Sequence, residues 1–415
     1  MNQLGWIDFS RTHRNKVMLV MDMFKEKGMV DELGLGTIRD TISDKLFPGT
    51  STIQTRAKYF LLIPWIIQDA EQTGKIERLQ SEIEESEIRF VDILKKNSAK
   101  GTRGIIGIDS PRHNAKRKPS SVYWNGLKTY EILNFKGSLG DYINYQKHYA
   151  KKLQANKKQL VKSDRNVQGD DRDANHFNQQ NLWRSLPKPA KSWKENLTIE
   201  LTLEEATYLK ERIIRSNPNS LWAFALKHCP EEAITFSSID DFLFITNLPA
   251  DLKDIIQLAS DFNKIMQGAL IRYNLLIQQS RENGRTKELD HPWKEYCEAI
   301  KDFDWNNWHT EKLWKHCPFT PTSTKLFVER WISMVQTVTI NPSNADDLIK
   351  DRELRLKGIR RARLQDKAVA QKQETFTGLT VYENGSVSYL TYRWNNVRTF
   401  LNDIQEGLAN NVTTK

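Results

Sequence analysis

The sequence predicts a mainly α protein of two helical domains, the N-terminal one with a helix-turn-helix-like unit and the C-terminal one with a single β-hairpin. Three observations point there. Apolar residues recur at helical spacing through most of the chain. Ser, Thr and Asp caps begin those runs, and glycine or Pro-Gly stops end them. Only one pair of β-rich segments flanks a type I′ turn sequence, Asn384-Gly385. A chain of 415 residues, 39% hydrophobic and 27% charged, is long enough and apolar enough for two folded domains.

The elements follow in order. WIDFS (Trp6 to Ser10) reads as a short strand or extended entry, and Ser10 or Thr12 caps a helix over VMLVMDMF that stops near Gly28. LGLGTIRDTISDKLF is a helix ending at Pro48-Gly49, and a second helix is expected from Thr50 or Ser51 to about Gly74. Residues 76 to 97 form an amphipathic helix, acidic first and closed by Lys95-Lys96, as the helix dipole favours. A glycine-punctuated basic loop follows, around a short strand at Ile105 to Ile108, and then a Ser-capped helix over SSVYWNGLKTYEIL. FKGSLGDYINYQKHYAKKLQ supplies a turn and another helix. Residues 151–196 are polar, nearly free of apolar periodicity and end in LPKPAKSW, which suits an interdomain linker. The expected domains are therefore residues 1–150 and 197–415. Thr202 and Glu205 make a capping box. Helical patterns recur in SLWAFALKH, in residues 251–280 and in TKLFVERWISMVQT, before the hairpin and a last helix, WNNVRTFLNDIQEGL.

Charge narrows the function. The chain carries 62 Lys and Arg against 52 Asp and Glu, but the excess is local: Lys95 to Arg165 holds 17 basic residues and 4 acidic ones, a net of +13. A clustered positive field attracts a polyanion, so nucleic acid, with DNA the expected form, is the leading partner, ahead of acidic protein and of membrane. No apolar run reaches the roughly 18 residues of a membrane span, and the N-terminus lacks a signal-peptide layout. Cys229, Cys297 and Cys317 are too few and scattered for a disulfide framework, so a cytoplasmic setting is expected.

Candidate binding residues fall in three places. Wound as a helix from Thr50, the segment LFPGTSTIQTRAKYF buries Ile53, Ala57, Phe60, Leu61 and Pro64 on one face. Thr50, Ser51, Thr52, Gln54, Thr55, Arg56 and Lys58 then form an exposed first turn against a phosphate or base edge, as in a helix-turn-helix. The same pattern fits a capped helix whose polar face meets only water. The second place is the basic loop with Arg103, Arg112, Lys116, Arg117 and Lys118, joined by Lys128 and interleaved with Tyr123, Trp124 and Tyr130. The third is a basic helix over Leu348 to Lys367, with Arg360, Arg361 and Arg363, whose charges could equally pair internally with Asp351, Glu353 and Asp366.

Catalytic chemistry finds little support. GTRGIIG lacks the Gly-Lys-Ser/Thr ending of a nucleotide-binding loop. Asp8 and Asp109 could hold a divalent metal in a nuclease, without a matching third ligand. Cys297, His309, His316 and Cys317 lack zinc-site spacing. No cofactor is called for.

Several segments together carry a resemblance: LGWIDFS, LGLGTIRDTISDKLFPGTSTIQTRAKYFLLIPWI, SSVYWNGLK, LTLEEATYLKERI, and LIKDRELRLKGIRRARL with YRWNNVRTFLNDI. They resemble an uncharacterised bacterial family encoded in phage-defence gene clusters, often near a helicase and a phospholipase-D-type nuclease in DISARM-like neighbourhoods. The resemblance implies partners and a setting but no catalytic residue. Together with the charge it leads to an expected non-catalytic DNA-binding subunit whose tryptophan-rich C-terminal half docks partner proteins. A metal-dependent nuclease and a pure assembly adaptor are the alternatives.

Overall fold

The structure is a computed structural model that describes residues 31–163, 182–281, 284–337, 340–365, 370, 375–382 and 387–409. The fold is mainly α. Its helices are α1 (Gly36–Leu46), α2 (Tyr59–Gln72), α3 (Leu79–Asn97), α4 (Pro119–Thr129), α5 (Leu139–Ser163), α6 (Trp193–Asn196), α7 (Leu203–Ser216), α8 (Leu221–His228), α9 (Pro230–Thr235), α10 (Ala250–Gln279), α11 (Lys287–Ala299), α12 (Thr310–His316), α13 (Thr322–Val335), α14 (Pro342–Lys357) and α15 (Trp394–Ala409). Strands β1 (Thr380–Val381) and β2 (Val387–Ser388) pair antiparallel, with Thr380 opposite Ser388. Asn384 and Gly385, like WIDFS and the VMLVMDMF helix, lie outside the described residues.

The chain divides into two compact units, and not at the polar segment. The larger comprises Ser43–Leu252 with Arg393–Lys415, the smaller Met1–Ile42 with Lys253–Tyr392. These units differ from the expected 1–150, 151–196 and 197–415 division, and packing gives the physical reason. Residues 182–197 bury apolar surface within the larger unit. Trp183 bridges Leu133, Pro187 accepts a 3.0 Å hydrogen bond from Trp65 Nε1, and Trp193 stacks on Phe90 at 4.9 Å. A free linker has no such partners.

In the larger unit α2 is buried from Tyr59 to Ile67, as its apolar run requires. Gly126 on α4 lets that helix approach Gly49 and Phe60, where a Cβ would come within 2.6 Å of both. Later elements lock onto this core. Arg212 on α7 donates to the carbonyls of Tyr130 and Glu131, and Trp222 on α8 donates to the Tyr130 hydroxyl. The capping box forms at α7, with Thr202 and Glu205 exchanging hydrogen bonds.

In the smaller unit α10 is the organising helix. The Ile265 carbonyl accepts from both Tyr296 on α11 and Trp331 on α13, at 2.8 Å each. Gly268 leaves room for the Tyr296 ring, which a Cβ would overlap at 2.0 Å. Trp222, Trp331 and Trp394 are fully buried, so these second-half tryptophans are core rather than docking anchors. Among the described residues Phe244 and Phe319 are the most exposed of the large aromatics, ahead of Tyr382 and Tyr145.

Candidate nucleic-acid interface

The stretch from Thr50 to Lys58 is not a helix. The helix expected from Thr50 starts at Tyr59, nine residues later, so the helix-turn-helix expectation is corrected. Distant partners impose the irregular path. The Tyr123 hydroxyl accepts from Thr55 N at 2.7 Å and Arg56 N at 3.0 Å. Asn396 on α15 donates to the carbonyls of Thr52 and Gln54, and Arg393 donates to that of Thr50. A helix would need those same backbone groups for its own ladder.

Most polar side chains of this stretch also turn inward, while Ser51 and Thr52 are half-buried. Gln54, 1% exposed, donates to the Gly49 carbonyl and accepts from Ser51 N. Thr50 is buried and donates to Phe47 O, and the Thr55 hydroxyl donates to Gly104 O at 2.6 Å. Arg56 forms a forked pair with Asp403 on α15, at 2.8–3.0 Å. Burial pushes the Asp403 carboxyl above its ordinary range, while Arg56 and the Ala57 amide pull it back. Lys58, 4% exposed, pairs with Glu205 at 2.6 Å and also reaches Glu200 O. The expected exposed turn is thus an internal hub of the larger unit.

GTRGIIG explains itself against that hub. Gly104 has φ +89°, and a Cβ there would lie 2.8 Å from Arg56 Cγ. Gly107 has φ +95° and faces His113 O. These glycines allow close backbone approach at conformations that other residues avoid. Tyr59 accepts from Ile106 N, and the expected strand at Ile105 to Ile108 is a set of turns.

The basic loop, by contrast, faces outward. Arg103, Arg112 and Lys116 are exposed, as are Lys95, Lys96 and Lys100 just before them. None of the six makes an ion pair among the described residues. Arg112 and His113 both hold left-handed backbone, φ 53° and 54°, a conformation costing roughly 1 kcal/mol or more for such residues. His113 is pinned by Asp92 at 3.0 Å and by Gly107 O at 3.3 Å. Arg117 and Lys118 are half-buried, Lys118 donating to Asn114, and Lys128 reaches Gly137 O at 3.4 Å.

The third candidate divides in two. Helix α14 ends at Lys357, not at Lys367, because Gly358 turns to φ +71°. Arg360 and Arg361 are exposed, whereas Arg363 pairs with Glu32 at 2.7 Å within the smaller unit. Sequence reasoning passed over Lys100 and Ile359. Lys100 was visible only as part of the local charge excess, and the exposure of Ile359 has no sequence signal.

Metal chemistry gains no geometry here. Asp109 is exposed, Asp8 lies outside the described residues, and no cluster of three or more His, Cys, Asp or Glu suited to a metal occurs among the described residues. No helix among them is long and apolar enough to cross a membrane.

Fold and surface together define a two-unit helical protein with a cation-rich exposed segment and a buried polar hub. The chain belongs to DUF6361, a family of unknown function, whose profile matches residues 1–406. No curated protein and no solved structure matches it.

Proposed function

We propose that the chain is a non-catalytic, DNA-binding subunit of a bacterial multi-gene anti-phage system, working in the cytoplasm with a helicase or a phospholipase-D-type nuclease. One observation carries the nucleic-acid part. Lys95, Lys96, Lys100, Arg103, Arg112 and Lys116 stand exposed along one stretch of the larger unit, without carboxylate partners among the described residues. Cations placed so lose little on meeting phosphate and release its counterions. The sequence resemblance supports the setting and the partners.

The test is equilibrium binding of a labelled DNA duplex by the whole protein over a range of salt. If about six phosphates are neutralised, log K falls against log salt with a slope of about −5. The triple variant Arg103→Ala, Arg112→Ala, Lys116→Ala should flatten that slope by about 3. Salt-insensitive or absent binding sinks the proposal. Recovery of a helicase or nuclease by the tagged protein after nuclease treatment separates protein docking from DNA bridging.

A further inference from the structure

Below α14 the smaller unit buries a cluster of charges that the binding surface itself does not use. Glu32 and Glu353 are buried carboxylates, and Lys357 pairs with both. Arg363 pairs with Glu32, and the Tyr273 hydroxyl lies 3.0 Å from Glu32 and 2.7 Å from Glu353. Glu353 also accepts Leu364 N at 2.8 Å. The two carboxylates face two basic side chains, and each carboxylate has several partners, as buried charge requires.

The cluster clamps both ends of one short loop. Lys357 holds the entry, Arg363 and Leu364 hold the exit, and Ala362 is buried between them. Arg361 N and Ala362 N both donate to Gly358 O, closing the turn. What the clamped loop presents is unusual: Ile359 is 77% exposed, and Arg360 and Arg361, which follow it, are exposed as well. A β-branched aliphatic side chain on a fixed loop, followed by two cations without ion-pair partners among the described residues, has the chemistry of an apolar wedge with phosphate contacts beside it.

We propose that this loop is a second DNA contact, in which Ile359 enters between unstacked bases while Arg360 and Arg361 hold the neighbouring phosphates. The preferred ligand is then DNA with unpaired or distorted steps rather than uniform duplex. This deepens the DNA-binding proposal and rests on it. Fixing the loop beforehand lowers the ordering cost of insertion, which accounts for a charge cluster at its base. Unpaired steps cost less to open than stacked ones, which gives the preference its sign.

The whole protein is titrated against a labelled duplex, the same duplex with a central unpaired loop, and the single strand, each at two salt concentrations. The looped duplex should bind about tenfold tighter than the uniform one. Ile359→Ser, a change at an exposed position, should erase that preference and leave duplex affinity within about twofold. Arg360→Ala with Arg361→Ala should weaken all three ligands together, because phosphate contacts carry no sequence or stacking information. A wild-type preference retained by Ile359→Ser, or no preference at all, overturns the wedge while salt-sensitive duplex binding leaves the broader proposal standing. Absence of binding to all three overturns both. If Ile359→Ser changes no DNA affinity but abolishes binding to vesicles of anionic phospholipid, the loop is a membrane contact and the proposal fails.

Discussion

Arg56 is of the side-chain type that reads guanine, yet its guanidinium already forks onto Asp403. Its structural role makes a sharp prediction. Arg56→Ala leaves the Asp403 carboxylate buried without its cation, which should cost about 3 kcal/mol or more in urea unfolding. Adding Asp403→Ala should cost less than the sum, because the second change removes the orphaned charge. DNA affinity of the folded Arg56→Ala protein should match wild type within about twofold. A selective loss of affinity with unchanged stability would restore Arg56 to the binding surface. Glu87 on α3 makes a second prediction at this scale. One of its oxygens accepts Ser120 N at 2.6 Å, and burial pushes its carboxyl up to about 7, with Glu84 adding to the rise and Lys118 opposing it. The folded state therefore keeps a proton that the unfolded chain releases near its ordinary 4.5. Its contribution is complete below pH 4.5 and is lost as pH climbs through 7, about 3 kcal/mol at most. Melting temperature should fall between pH 5 and 8 more steeply in wild type than in Glu87→Gln. Parallel pH profiles would count against a protonated Glu87.

At the scale of elements, legibility depended on where the deciding partners sit. The cap and run of α7, the core run of α2 and the acidic-to-basic course of α3 are local signals, and each formed where its pattern placed it. The stretch from Thr50 to Lys58 has good helical periodicity but is held irregular by Tyr123, Asn396 and Asp403, which lie 67 to 347 positions away. No local pattern carries that information. The basic loop was legible as charge, but the purpose of its glycines was not, because the Arg56 side chain that Gly104 accommodates is remote in sequence. Glycine substitutions separate conformation from contact. Gly101 and Gly104 share φ +89°, yet a Cβ on Gly101 meets nothing within 4 Å. Gly101→Ala should therefore cost only the left-handed backbone penalty of about 1 kcal/mol. Gly104→Ala adds a collision with Arg56 and should cost about 2 kcal/mol or more, measured by chemical unfolding. Equal losses at the two sites would mean that the loop does not depend on its packing against Arg56.

At the scale of the molecule, the chain runs from the smaller unit into the larger one, back into the smaller and finally into the larger again. Composition had suggested a cut near residues 151–196, but composition reports solvation rather than which segments pack together. A chain cut is therefore the decisive measurement. With a protease site inserted after Gly169, cleavage leaves one fragment with α1 to α5 and another with everything from Leu182 onward. In the larger unit the fragments remain joined by Trp193 stacked on Phe90, the Lys58–Glu205 pair, Arg212 on the Tyr130 carbonyl and Arg56 on Asp403. In the smaller unit, Arg352 donates to Leu33 O and Tyr273 reaches Glu32. Buried contacts of this kind across such an extent hold obligate partners together, whereas two domains on a tether would drift apart. The cleaved protein should elute as a single species in size-exclusion chromatography and keep its helical circular dichroism, separating only in denaturant. Two peaks under native conditions would mean that the units are not built from both halves of the chain, and the division at the polar segment would return.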